Sequence, residues 1–234
     1  MNPRIMTLGI VAAAAIAPLG GCGADHETLD DSSIRSDALH EGEGNHWGNS
    51  DFYLMSPEFE DGADLPDAHS CEGKPFGEGT SPNLKWSKGP TGTKTYALAF
   101  IDETILSTPQ FAYHYAAWNI PHSVHEIPEA MEAGQFPEAL KGCEQRRAGP
   151  PGTIPSYFGP CPSWQTLCFG APRSKDSYAF RLYAFEEKEL TPPTDGTMEA
   201  LVLYLEEHAE AMVELTATSD AAPSSFERVC PDAG

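Results

Sequence analysis

Three separated groups of residues have the types that chemistry needs. Asp102 directly follows the apolar run from Lys94 to Ile101, which places its carboxylate at the end of a strand. His114 sits among aromatic residues in the segment 111–119, where a buried neutral imidazole requires a polar partner. Gly159, Pro160, Cys161 and Pro162 form a turn stiffened by two prolines, and its glycine allows backbone to approach a ligand closely. If these groups converge, they form a small rimmed pocket. Imidazole and backbone N–H groups would bind an anion there, with Asp102 orienting the ring. The plainer account of His114 is a core histidine satisfied by its neighbours.

Enzyme signatures are absent: no G-x-S-x-G elbow, phosphate-binding Walker loop, G-x-G-x-x-G turn or H-E-x-x-H helix occurs. No enzyme activity and no cofactor are expected. His122, His125 and Glu126 superficially invite a metal, but Pro121 and Pro128 bracket them, so the two imidazoles cannot share a regular helix. A solvated loop is expected, with no metal site.

The elements that must hold such a pocket are mostly strands. With 21 Gly and 21 Pro in 234 residues, a long helical bundle is excluded. Residues 52–55, 94–101, 111–119 and 178–185 read as strands. In the last, period two places Tyr178, Phe180, Leu182 and Ala184 on one face and Ala179, Arg181, Tyr183 and Phe185 on the other. The fold class is mainly β, an antiparallel sandwich with a few helices. One helix is predicted from Thr197, where Met198, Leu201, Val202, Leu205, Ala209 and Met212 recur at helical spacing and Asp195 or Thr197 caps the start. A shorter one is predicted from Pro128 to Ala133. The domain spans 51–218, and 219–234 is a loose tail.

The N-terminal part reads as an address. Residues 5–19 carry no charge, and at about 15 residues the run is too short to span a bilayer, so 1–21 is a signal peptide. It ends in Leu19-Gly20-Gly21-Cys22, similar to a bacterial lipobox, which predicts a diacylglyceryl anchor on Cys22. Residues 22–50 are polar and aperiodic, a tether of roughly 30 Å typical reach. The mature protein is expected to be exported and membrane-anchored, periplasmic or at the cell surface. The full chain carries 35 acidic against 14 basic side chains, net −21, which repel polyphosphates and exclude nucleic acid as a partner. Beyond Cys22 there are five cysteines, an odd number, and an oxidising compartment favours one or two disulfides. Cys143 with Cys168 is preferred because both lie in Gly/Pro-flanked loops, and Cys161 with Cys168 is the local alternative.

Six ordered blocks carry a resemblance: residues 52–86, then 90–94, ALAFID at 97–102, HYAAWNIP at 114–121, YFGPCP at 157–162 and YAFRLYAF at 178–185. They resemble the phosphatidylethanolamine-binding protein family, in particular its bacterial, Raf kinase inhibitor-like branch, over residues 51–213. The resemblance implies an antiparallel sandwich and a pocket for phosphate-like anions or phospholipid headgroups. By motif it implies that Asp102, His114, Tyr157, Gly159, Pro160, Cys161 and Tyr178 line that pocket. Two departures matter: Asp102-Glu103-Thr104 stands for the family's D-P-D, and Asp176-Ser177-Tyr178 for its H-R-Y, so a carboxylate replaces an imidazole. A carboxylate beside a bound phosphate is repulsive by about 1–4 kcal/mol. Segment 163–175, with Trp164, Cys168 and Phe169, is also longer than usual for the family. The function expected is non-enzymatic ligand binding. The alternative is an inhibitor-like module that regulates a kinase- or protease-like partner.

Overall fold

The computed structural model describes residues 51–107, 112–130, 144–147, 157–193 and 197–225. Among them the chain runs through β1 (Leu54–Met55), β2 (Ala63–Asp64), a 3-10 turn (Asp67–His69), β3 (Leu84–Trp86), β4 (Thr95–Asp102), β5 (Tyr113–Pro121), β6 (Glu126–Ile127) and β7 (Glu144–Arg147). It continues through helix α1 (Trp164–Phe169), β8 (Asp176–Phe185), helix α2 (Met198–His208) and β9 (Ala211–Ser219). The strands form two open sheets, β1-β3-β6 and β2-β9-β8-β4-β5-β7. All pairs are antiparallel except β2 with β9. This is the mainly β, sandwich-like architecture read from the sequence.

Strand β4 is buried along its whole length because both of its faces are covered. Tyr96, Leu98 and Phe100 join Tyr178, Phe180, Leu182 and Ala184 of β8 in a core closed by Leu54, Leu84, Trp86 and Ile127 of the small sheet. Ala97, Ala99 and Ile101 face the other way, with Tyr183 and Phe185, onto Met198, Leu201, Val202 and Leu205 of α2. The period-two division of β8 is therefore the division between the two cores. Burying each large apolar side chain contributes about 1.5–3 kcal/mol.

Strand β5 departs from simple alternation. Phe100 is registered with Tyr115 and Ile101 with Tyr113, which leaves His114 as an extra residue at a bulge. Tyr115 and Ala117 lie in the inter-sheet core while Tyr113, Ala116 and Trp118 lie against α2. The bulge turns His114 to the inter-sheet side, against Phe100, where strict alternation would have put it on the face opposite Tyr115. A second irregularity falls between Tyr96 and Leu98, and opposite it Asn119 adopts φ 60°. Its side chain donates to Leu190 O (3.1 Å) and accepts from Leu190 N–H (2.7 Å), pinning the 186–193 connection to the strand.

Three expectations are corrected. Helix α2 starts where predicted, with Thr197 Oγ1 accepting Ala200 N–H at 3.1 Å, and Asp195 lies outside the described residues. It stops at His208, however, because Ala209 is extended. Met212 belongs to β9, where the β-branched Val213, Thr216 and Thr218 favour the pleated conformation that pairs with β8. Residues 128–130 are not helical, and the rest of the short helix predicted there lies outside the described residues. Residues 219–225 are not loose: Ala221 O accepts Ser163 N–H (3.0 Å), Ala222 O accepts Gly73 N–H (3.1 Å), and Ser225 bridges Pro75.

Asn119→Ala should cost about 2–3 kcal/mol in urea unfolding, from two lost hydrogen bonds and a left-handed alanine. Asn119→Gly should recover about 1 kcal/mol of that. Equal losses in the two variants would show that the backbone conformation carries none of the cost.

Candidate functional site

Asp102, the last residue of β4, lies directly across from Tyr178 on β8. It is buried, and its carboxylate accepts hydrogen bonds from the Tyr178 hydroxyl, from Thr104 N–H at 3.0 Å and from the Ile105 amide. Burial, reinforced by the nearby Asp176 carboxylate, pushes the Asp102 carboxyl up to about 6, with the hydrogen bonds holding it back. Asp176 is two residues before Tyr178 on the same strand and is also raised by burial. For Tyr178, burial first and the two aspartates next disfavour the phenolate, so its hydroxyl remains a donor.

His114 lies beside this pair. Its ring meets Tyr178 edge-on (centroids 5.5 Å, 87°), Phe100 at 5.2 Å and Phe158 at 5.3 Å. Its Nδ1 is 3.0 Å from the Phe158 carbonyl, which can only accept. Nδ1 therefore carries the hydrogen and Nε2 is the atom that gains or loses a proton. Asp102 does not orient the ring, as the sequence reading expected. The Phe158 carbonyl and three aromatic walls do that, and Asp102 holds Tyr178.

The 157–162 turn is bound to a distant loop. Gly159 N–H donates to Gly77 O at 2.9 Å, and Cys71 N–H donates to Pro160 O at 3.0 Å. A Cβ on Gly159 would lie 2.6 Å from Glu78 O, so this glycine admits a crossing backbone, where the sequence reading had it admit a ligand. A Cβ on Gly77, at φ 77°, would collide with the Phe158 ring at 2.3 Å. Cys161 is joined to Cys71, which excludes Cys161 with Cys168. Closing a loop with a sequence separation of 90 stabilises by about 4–5 kcal/mol in the chain-entropy account. Cys168 is itself disulfide-bonded, and Cys143 lies outside the described residues. The Tyr157 ring stacks on Phe100 at 5.5 Å and its hydroxyl donates to His69 O at 3.0 Å.

The structure thus joins Asp102, Tyr178, Asp176 and His114 in one cluster, and His114 to the turn through Phe158. Tyr157, Gly159, Pro160 and Cys161 serve as the framework of that turn, bonded to His69, Gly77 and Cys71. The departures have local uses. Thr104 Oγ1 accepts Ser177 N–H at 2.8 Å, and Glu103 turns to Arg181 at 2.7 Å, where Glu206 and Glu214 share the guanidinium. Segment 163–175 is tied down by Arg173, forked onto Glu72 at 2.8 and 3.0 Å, and Trp164 meets an exposed Phe169 edge-on. The His122–His125 string is a loop, but of its two imidazoles only His122 is exposed. His125 is half-buried against Trp86 and Tyr96, and that burial holds its imidazole below the ordinary range. The sequence reading missed Phe100 and Phe158, although both stand inside the blocks that carried the resemblance.

The fold is an open two-sheet β-sandwich that carries an Asp–Tyr–His cluster at one end of its central strands. The chain belongs to the phosphatidylethanolamine-binding protein family, whose model matches residues 55–220. It is 31% identical over 159 residues to the protein YxkA of Bacillus subtilis (strain 168), covering 62% of this chain and 84% of that protein. It is 27% identical over 164 residues to a UPF0098 protein of Aquifex aeolicus (strain VF5), covering 68% of this chain and 82% of that one. Among solved structures it is similar to Escherichia coli YbcL, described as a member of the mammalian PEBP family, with a TM-score of 0.52 at 24% identity over 73% of this chain and 99% of that one. Membership of this family goes with a ligand-binding or regulatory role.

Asp102 binds its proton more tightly folded than unfolded, so its ionisation removes stability as the pH rises from about 4 to 6. Asp102→Asn keeps the acceptor oxygen for Tyr178 and Thr104. At pH 8 it should raise the unfolding free energy by about 1–3 kcal/mol, and at pH 4 by almost nothing. Urea melts at the two pH values check this; equal effects at both would mean that the carboxyl is not destabilised by burial.

Proposed function

We propose that this chain is an exported, lipid-anchored, non-enzymatic binding protein. Its ligand is a small phosphate-bearing molecule of phospholipid-headgroup size, taken up beside His114. The observation that carries the reading is the contact of Asp102, Tyr178, His114 and Phe158, which draws the ends of β4 and β8, the bulge of β5 and the 157–162 turn to one place. Its support is chemical: a titratable imidazole and a phenol suit a phosphate, while two carboxylates favour a ligand that also carries an ammonium. With Asp102 ionised above about pH 6, a bare anion meets two negative charges, whereas a zwitterion such as phosphoethanolamine offsets them. Below that pH Asp102 is neutral and the penalty on simple anions falls. An uncharged N-terminal run ending at Cys22 supports the anchor, and the Cys71–Cys161 disulfide suits an oxidising compartment.

Phosphoethanolamine added at pH 7.5 should move the His114 ring resonances in NMR and bind more tightly than inorganic phosphate. The difference should narrow at pH 5.5. Asp176→His, which removes the second carboxylate, should tighten inorganic phosphate at least about fivefold. An unmoved His114 under both ligands overturns this reading and favours a protein-interaction role. In a bacterial host that processes lipoproteins, Cys22→Ser should shift the protein from the membrane to the soluble fraction; retention on the membrane would remove the anchor from the proposal.

A further inference from the structure

Behind the 157–162 turn lies a second cluster, formed by Glu58, His69 and Glu129. They come from three connections: Glu58 after β1, His69 at the end of the 3-10 turn, and Glu129 after β6. One ligand atom from each lies within 4.8 Å of the others. His69 is 2% exposed. Its Nδ1 is 2.8 Å from Thr80 O, and a carbonyl cannot donate, so Nδ1 carries the hydrogen and Nε2 points away from it. Nε2 faces Glu58 Oε2 at 3.1 Å. That oxygen is itself oriented by the Asn83 N–H at 2.8 Å, and Glu129 is steadied by its neighbour Ala130, whose N–H donates to Ser81 O.

The arrangement requires a positive species between ring and carboxylates, because an imidazole lone pair directed at a carboxylate oxygen is repulsive. A proton on Nε2 supplies one charge against two carboxylates and leaves the cluster net negative. A divalent ion bound to a neutral imidazole and two carboxylates leaves it neutral. A backbone carbonyl holding the far nitrogen of a buried histidine is the usual support of a metal-bound imidazole. Metal–ligand bonds of about 2.0–2.2 Å place donor atoms no more than about 4.4 Å apart, so only the exposed Glu129 carboxylate has to swing inward by a fraction of an ångström. We infer that Glu58, His69 and Glu129 bind one divalent transition-metal ion of zinc type, with water completing its coordination. One imidazole with two carboxylates suits zinc better than calcium, which takes oxygen ligands throughout. The inference does not depend on the headgroup reading, although the His69 carbonyl accepts the Tyr157 hydroxyl and so touches the same framework.

The test is calorimetric titration of the EDTA-stripped full chain with zinc chloride at pH 7.5, beside Glu58→Gln and Glu129→Gln. The sequence also offers histidines 26, 40 and 46 as zinc ligands, so the comparison is with the variants. One equivalent should weaken at least tenfold in each variant. Zinc should raise the Tm of the parent and not of Glu129→Gln, an exposed isosteric change that leaves the fold intact. In NMR the His69 Nε2 resonance should move on adding zinc while the Nδ1 hydrogen persists. Zinc isotherms identical in all three chains, or an Nε2 proton on His69 that zinc does not displace, would overturn the assignment and leave a histidine–glutamate ion pair.

Discussion

The hydrogen bond from Tyr178 to Asp102 sets the terms for the rest of this end of the molecule. A carboxylate at the end of a fully buried strand has lost its water and must find donors within the protein. Two come from the turn that follows it, Thr104 and Ile105, and one from the strand alongside. Because β4 and β8 are in register, the cross-strand partner of Asp102 is Tyr178, and holding its hydroxyl fixes its ring. That ring is the wall against which His114 stands edge-on. The turn is secured in return, since Thr104 Oγ1 accepts the Ser177 N–H and Glu103 N–H donates to Ser177 O, each at 2.8 Å.

The second constraint is the crossing of two chain segments, 77–79 and 157–161. Here backbone passes so close to backbone that a side chain is excluded at Gly159, the Phe158 ring excludes one at Gly77, and the Cys71–Cys161 bond locks the crossing. The Phe158 carbonyl is presented to His114 from this crossing, so the imidazole is held by a rigid strut and not by a mobile loop. The opposite face of β8 solves its charge problem separately. Arg181 is shared by Glu103, Glu206 and Glu214, which ties β4, α2 and β9 together away from the site.

Much of this was legible in the sequence where the signal is local. The apolar run before Asp102, the alternation of 178–185 and the cap at Thr197 each specify an element through its own residues. What could not be read are features that depend on pairing. A bulge leaves no mark of its own, so the aim of His114 required the register of β4 against β5. Strand β9 was hidden because Ala209 and Met212 continue a helical spacing by coincidence, and only its partner β8 makes 211–219 a strand. Gly159 looked like room for a ligand because the crossing segment, some 80 residues earlier, is invisible in its neighbourhood. The Cys71–Cys161 pairing was missed for the same reason, and Glu58, His69 and Glu129 show no motif because three connections supply one residue each.

On the reading proposed here, the two aspartates make the site selective by charge more than by shape. Burial raises the cost of ionising both aspartates, and Asp176 adds to that of Asp102, so the site at neutral pH holds negative charge that the fold does not favour. A ligand ammonium placed between them lowers that cost, and part of its affinity is then relief of a strain already present in the protein. A bare anion adds to the same strain and must bring a proton to Asp102 with it. The carboxylate that stands for the imidazole of the family pattern adds to this proton linkage: anion uptake is coupled to proton uptake, and ammonium uptake to proton release.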